Sequence, residues 1–416
     1  MKLRIKIPKR IPLENLAFFL ALFCVASYAL LEHVSISISA FSMLKFPLLY
    51  VGGICLLTQL KLFLGNFRKR RYFFVLLSVF LLCAVVMISA LANGNPTFGT
   101  NPLRATVRFV LFLMELFLLA IWVSESGRAP YTMNFLFWYT LILVILTDVL
   151  FFTRAMVFYS GRHENYLVGT KFSVCYIHMD LLTLWFVRNN LKSLREFKTK
   201  RFLFWTIPFI LAISIRVDCI TGIIGCIALF VFFMMLNTSV QRQFLRFASP
   251  SLLLVFLVAS VVFPFVAESI VSIPVVKYLI ESVFSRDSSL TGRLGIFGVF
   301  ADGMQGHWLW GYGFGNGNAA AERLFHCANA QNAILQWILQ AGIPVTVLIV
   351  LLMMRIFEQL RGSEKQKKIM PMIILVYVYI ILGTVETTFN MSFFLWLALI
   401  FIHVNNKEKL TPLSKK

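Results

Sequence analysis

YFFVLLSVFLLCAVVMISALA, residues 72–92, runs for 21 residues without one charged side chain. A helix of that length rises about 30 Å, the thickness of the hydrocarbon core of a bilayer, so the stretch reads as a spanning helix. Arg68, Lys69, Arg70 and Arg71 stand directly before it. A basic cluster abutting an apolar run marks the cytoplasmic end of a span.

Outward from that stretch, comparable apolar runs lie near 14–32, 39–62, 105–123, 133–153, 171–187, 202–215, 220–236, 251–267, 331–354, 370–389 and 392–404. The expected fold is therefore all-α: a polytopic integral membrane protein of about 12 helices, forming one membrane domain over 1–416. The runs at 202–215 and 220–236 are short and nearly fused, and counted as one they would leave eleven. The composition agrees with a membrane protein. Of 416 residues, 59% are apolar and 14% charged, with a mean hydropathy of +0.82. Soluble domains run about half apolar and a quarter charged, so a cytosolic globular enzyme is excluded. The first apolar run is too long, and lacks the small-residue cleavage site, for a removable signal peptide. The seven cysteines are scattered without a CxxC pair, which implies neither a zinc site nor a disulfide framework.

The net charge is +21. With the N-terminus cytoplasmic and twelve spans, 28 of the 39 basic residues fall in cytoplasmic segments, and every such segment carries at least one. The excess is thus a topology signal, not a nucleic-acid surface. Both termini are expected in the cytoplasm. An eleven-span chain would break the alternation after residue 236. The other basic residues fall where the sorting rule disfavours them. Among them are Arg216, Lys171, Arg286 and Arg293.

Two outer connections are long. One is 154–170. The other, 268–330, is far longer than a usual connection and leads into the helix expected over 331–354; long loops among short ones are usually functional. Within it, Ser288 or Ser289 can cap a helix, and Leu290, Leu294, Phe297 and Met304 recur at helical spacing. An amphipathic helix at the outer interface is expected, followed by Trp308, Trp310 and Tyr312, which suit the headgroup level. Gly311, Gly313, Gly315 and Gly317 then alternate. They permit either a sharp turn or close approach of backbone to a ligand. No Walker or dinucleotide pattern surrounds them.

TGRLGIF (291–297), GYGFGNGN (311–318) and AQNAILQWILQAGIP (330–344) together resemble the C-terminal signature of the O-antigen polymerase and ligase family, of Wzy/WaaL type. The match is close over about 60 residues, and the twelve helices with an outer loop between the ninth and tenth extend it to the whole chain. YLVGTKFSVCYIHMDL (166–181) is similar, less specifically, to a segment of Gram-positive capsule polymerases. Two positions depart from the ligase pattern. Gln331 stands where a ligase has a histidine before Asn332, and Val345 stands where it has a glycine. Glutamine does not titrate in a useful range, which favours the polymerase branch over the ligase.

The resemblance implies glycosyl transfer on the outer face of a bacterial cytoplasmic membrane. The donor and acceptor glycans would be carried on undecaprenyl pyrophosphate, and a flippase and a chain-length regulator would be partners. It implies neither a nucleotide-sugar pocket nor a metal, and no cofactor or nucleic acid is expected. Such a site needs cations for the pyrophosphate and a base for the attacking hydroxyl. Arg293 matches the Thr-Gly-Arg of the family and is the first pyrophosphate candidate. Arg216, Lys171 and Arg286 follow. Arg216 has Asp218 as an alternative ion-pair partner, and Lys171 as an alternative can simply snorkel at the interface. Gln331, Asn332 and Tyr312 are the expected glycan contacts. His326 and Glu386 are the base candidates. Each has an ordinary alternative, a satisfied loop histidine and a carboxylate paired with an arginine. Trp308, Trp310 and Trp337 can stack on sugars or hold the interface. Outside this class, a lipid-linked oligosaccharide transporter or flippase would also use many helices and buried charges, although no inverted repeat is visible.

Overall fold

The computed structural model describes residues 13–38, 40–93, 101–155, 158–160, 163–189, 197–236, 244–278, 281–282, 293–361, 363 and 365–407. Every one of the twelve apolar runs carries a helix. In chain order the helices are α1 (Leu13–Leu30), α2 (Val34–Ser37), α3 (Phe41–Leu57), α4 (Leu60–Phe67), α5 (Arg70–Ala92), α6 (Pro102–Ser126), α7 (Ala129–Thr153), α8 (Lys171–Arg188), α9 (Phe197–Arg216) and α10 (Ile220–Met235). They continue as α11 (Pro250–Val271), α12 (Pro274–Tyr278), α13 (Arg293–Gly303), α14 (Gly317–Phe325), α15 (Ala333–Glu358), α16 (Gln366–Leu382) and α17 (Met391–Asn405). A two-stranded hairpin, β1 (Phe158–Ser160) with β2 (His163–Asn165), occupies the 154–170 connection.

Among the described residues six helices are long and apolar enough to cross a bilayer: α1, α5, α6, α7, α11 and α15. α3 and α4 pass together but are bent by 71° at their junction. The chain is a multi-pass helical membrane protein.

Burial sorts the helices into a centre and a shell. α16 is buried on every side from Ile369 to Ile380, and α17 from Phe393 to Ile402, as expected for helices apolar all round. α7 and α11 lie outermost. Trp138, Ile142, Ile145 and Val149 on α7, and Val255, Val258, Val262 and Phe265 on α11, present large exposed apolar side chains. In water such a belt would be costly, and against lipid tails it is the solvent-matched face. The basic cluster before residues 72–92 meets an acid at the end of α6. Glu125 accepts from Lys69 (3.3 Å) and from the Tyr72 hydroxyl (2.8 Å), and it pairs with Arg71 and Lys407.

Among the described residues, the 268–330 segment carries the end of α11 and the helices α12, α13 and α14. α13 begins at Arg293, so the Ser288, Ser289 and Leu290 expectations lie outside the described residues. Its apolar side, Ile296, Phe297 and Phe300, is buried against the protein, where Phe300 stacks on Phe325 of α14. The alternating glycines then serve helix packing. α15 is broken at Gly342 (φ 85°, ψ 174°), and the stretch 308–312 fills the break. Ile343 N–H donates to the Trp308 carbonyl (2.9 Å), and Tyr312 N–H donates to the Leu339 carbonyl (2.8 Å). Gly311 has φ 60°, and a Cβ there would sit 2.6 Å from the Ala341 nitrogen. Gly311 thus meets the backbone of α15, while Gly313 and Gly315 pack against Asn93, Pro102 and Ala105 at the α5–α6 ends and Gly317 against the Gln336 and Gln340 side chains.

The eleventh apolar run, expected over 370–389, ends as a helix at Leu382. Residues 383–390 form a buried non-helical link instead, with Glu386, Thr388 and Phe389 shielded from solvent. Non-helical backbone at such a place needs its polar groups satisfied from outside. The carbonyls of Gly383, Thr384, Val385 and Phe389 accept from Ala333 N–H (2.8 Å), Asn332 Nδ2 (3.1 Å), Arg293 Nε (2.8 Å) and Trp337 Nε1 (3.0 Å) respectively. All four donors lie in the 291–297 and 330–344 stretches.

Candidate functional site

The buried link gathers the charged candidates at one end of the bundle. Arg293, the first residue of α13, directs Nε at the Val385 carbonyl and its guanidinium at Glu386, with which it forms an ion pair. The Glu386 side chain is 4% exposed and that of Arg293 17%. Burial pushes the Glu386 carboxyl up to about 7, against the pull of Arg293 in the other direction. Lys171 and Cys219 lie within electrostatic reach of Glu386. The first pyrophosphate candidate and one of the two base candidates therefore touch each other.

Lys171 opens α8 at this same end. Its ammonium donates to the Asp218 carbonyl (2.8 Å) and stands 3.7 Å from the Asp218 carboxylate. Asp218 occupies the tight turn between α9 and α10 with φ 52°, so the two short runs are separate helices. Arg216 closes α9 as an exposed residue within reach of Tyr166. Arg286 lies outside the described residues.

Asn332 caps α15 and uses its whole side chain. Its Oδ1 accepts from Ile334 and Leu335 N–H (both 3.0 Å), while its Nδ2 donates to the Ser260 carbonyl (3.0 Å) and the Thr384 carbonyl (3.1 Å). It is fully buried and acts as a staple between α11, α15 and the link. Gln331 precedes it with φ 53° and half-buried. Its backbone N–H donates to Asn329 Oδ1 (2.9 Å), and its side-chain amide makes no hydrogen bond among the described residues. Tyr312 pins the glycine stretch: its hydroxyl donates to the Gly303 carbonyl (2.5 Å), and its ring stacks on His307 at 4.0 Å. His326 ends α14 in the left-handed region (φ 54°), exposed, with only its backbone N–H bonded, to the Glu322 carbonyl. Trp337 is a core residue packed on Phe109, Phe314 and Phe394.

The sequence reading missed Tyr176. It lies on α8, within electrostatic reach of both Glu386 and Arg293, and its buried hydroxyl has no hydrogen-bond partner among the described residues. The Ser260 hydroxyl, beside the carbonyl that Asn332 holds, is likewise unpartnered. Tyr176 falls in the 166–181 stretch noted above, but nothing in that stretch distinguishes its hydroxyl, and Ser260 stands in a plain apolar run, so only the packing of α8 and α11 against the link reveals them.

Compared with protein-family models, curated proteins and solved structures, the chain matches none.

Proposed function

We propose that the protein is a membrane glycosyltransferase of the Wzy type. It would move a growing glycan from undecaprenyl pyrophosphate onto a new lipid-linked repeat unit at the outer face of a bacterial cytoplasmic membrane, for a capsule, O-antigen or exopolysaccharide. The observation that carries this reading is the buried Arg293–Glu386 pair, in which a cation suited to pyrophosphate restrains a carboxylate suited to act as a base. Each of the twelve apolar runs is read as a span, the eleventh only as far as Leu382 so that the 383–390 link lies outside it, with both termini cytoplasmic. On that topology the pair faces the side opposite the basic clusters.

The chemistry follows from the two groups. An arriving pyrophosphate competes with Glu386 for the Arg293 guanidinium, whose planar fork suits either anion. Glu386, released, accepts the proton of the acceptor sugar hydroxyl. That oxygen bonds to the anomeric carbon of the donor as the bond from this carbon to the pyrophosphate oxygen breaks. The electron pair leaves on the pyrophosphate, where Arg293 stabilises it and Lys171 adds a second cation. The Tyr176 hydroxyl is placed to orient a sugar hydroxyl. Arg216, Arg286, Gln331 and Tyr312 remain glycan or pyrophosphate contacts in this reading. Of the two base candidates, Glu386 is favoured over His326, because Glu386 touches the arginine and His326 lies at the surface.

The test is reconstitution in liposomes with synthetic lipid-linked repeat units. A ladder of products that Arg293→Ala abolishes and His326→Ala leaves within about two-fold supports this assignment. Single transfer of polymer to lipid A-core would instead make the protein a ligase. Movement of the substrate across the bilayer without new glycosidic bonds would sink both.

A further inference from the structure

Three helices run from the Arg293–Glu386 site to the opposite end of the bundle. α8 opens at Lys171 and closes at Arg188, α16 begins at Gln366 and leads into the link, and α17 leaves the link and closes at Asn405. At about 1.5 Å per residue their two ends stand roughly 22–27 Å apart. At the far end they enclose, with the α6–α7 junction, a cavity of about 570 Å³.

The chemistry of this cavity is one-sided. Arg188, Lys365 and Lys368 line it, and among the described residues no carboxylate does. The Arg188 guanidinium lies over the rings of Phe137 (4.6 Å) and Trp138 (5.2 Å), which steady its stem, and it makes no ion pair among the described residues. Lys365 donates to the carbonyls of Val404 (3.3 Å) and Asn406 (2.8 Å), offsetting the partial negative charge at the C-terminal end of α17. His403 has Nδ1 against the Leu399 carbonyl at 2.9 Å, so Nδ1 carries the ring proton. Asn406 Oδ1 is buried and has no hydrogen-bond partner among the described residues, so it can accept from a hydroxyl or amide donor. Met133 and Ile369 add apolar wall. Basic residues at this end already have a role in setting topology. A cavity that gathers three of them and an unmet acceptor around one void is not required for that role.

We propose that this cavity binds the phosphate group of an anionic ligand. Arg188 and Lys368 would contact the phosphate, Lys365 would compensate the helix ends, and Asn406 would accept from a neighbouring hydroxyl. The phosphodiester of an anionic lipid in the adjoining leaflet and soluble phosphate share this chemistry. The site is separate from the glycan site and does not depend on the reaction assigned there.

Native mass spectrometry of the full chain in detergent, titrated with phosphatidylglycerol, phosphatidylcholine or inorganic phosphate, tests the site. The wild type should retain one anionic adduct, and Arg188→Gln/Lys368→Gln should weaken its retention about ten-fold or more. Lys367→Gln removes a charge from the same helix outside the cavity lining and should leave retention unchanged. Both lining substitutions are at exposed positions, and unchanged melting temperatures in detergent would establish that the variants fold. Phosphatidylglycerol retained over phosphatidylcholine assigns a lipid phosphate, and inorganic phosphate retained alone assigns a soluble one. Equal retention of all three probes, or a Lys367→Gln loss as large as that of the double variant, would overturn the proposal.

Discussion

Arg293 and Glu386, 93 positions apart in the chain, form a buried ion pair that joins the start of α13 to the link between α16 and α17. The same arginine also satisfies the Val385 carbonyl, so it closes the link both by charge and by hydrogen bond.

Structural and chemical roles of this pair separate in a double-mutant cycle. Arg293→Ala leaves a buried carboxylate and an open carbonyl, and should cost about 3 kcal/mol of stability. Arg293→Ala/Glu386→Gln removes both charges and should recover most of that loss without restoring glycan transfer. Thermal unfolding in detergent and the liposome ladder read the two effects. Recovery of the ladder in the double variant would refute the assigned roles.

Glycan transfer should depend on pH through Glu386. Burial raises its carboxyl to about 7, so below that value it is protonated and cannot take the hydroxyl proton. Above it the carboxylate is present and the rate should climb to a plateau. Initial rates of ladder formation between pH 5.5 and 8.5 check this. A rate that falls with rising pH across 7 would contradict Glu386 as the base.

Backbone approach at Gly342 should tolerate no side chain. It has φ 85°, and a Cβ there would collide with the Leu309 carbonyl. Gly342→Ala should cost about 2–4 kcal/mol, while Gly295→Ala on α13, whose Cβ meets nothing within 4 Å, should stay within about 1 kcal/mol of wild type. Melting temperatures of the two variants compare them directly.

Asn332→Asp keeps the Oδ1 cap acceptor but removes the Nδ2 donor that holds the Ser260 and Thr384 carbonyls. The loss, about 3 kcal/mol, should appear as faster proteolysis or hydrogen exchange around 383–390, ahead of the rest of the bundle. Uniform loosening of the whole chain would argue against its role as a staple.

Helix-forming runs were legible in the sequence, because apolar length acts locally. Each of the twelve runs became a helix, and 202–215 and 220–236 remained two. The alternating glycines were legible as a sharp turn or a close approach of backbone to a ligand; the structure instead sets Gly311 against α15, which breaks at Gly342, and Gly315 against α6. The eleventh helix was read seven residues too long. Residues 383–389 (GTVETTF) hold a glycine, three threonines and Glu386, a local helix-stop signal that hydropathy alone passed over, and only donors from α13 and α15 satisfy the non-helical path there.

The sequence by itself determined that this is an apolar, multi-helical chain with basic segments between its apolar runs and a glycine- and tryptophan-rich segment late in the chain, since composition and periodicity follow from the residues in order. Tertiary structure alone decided that Arg293 meets Glu386, that Asn332 is spent on the fold, and that Tyr176 and Ser260 present unmet hydroxyls nearby. It alone also brought Arg188, Lys365 and Lys368 around one cavity. The physical reason is that pairing of buried polar groups is set by which helix ends converge, and convergence depends on packing between residues tens to hundreds of positions apart.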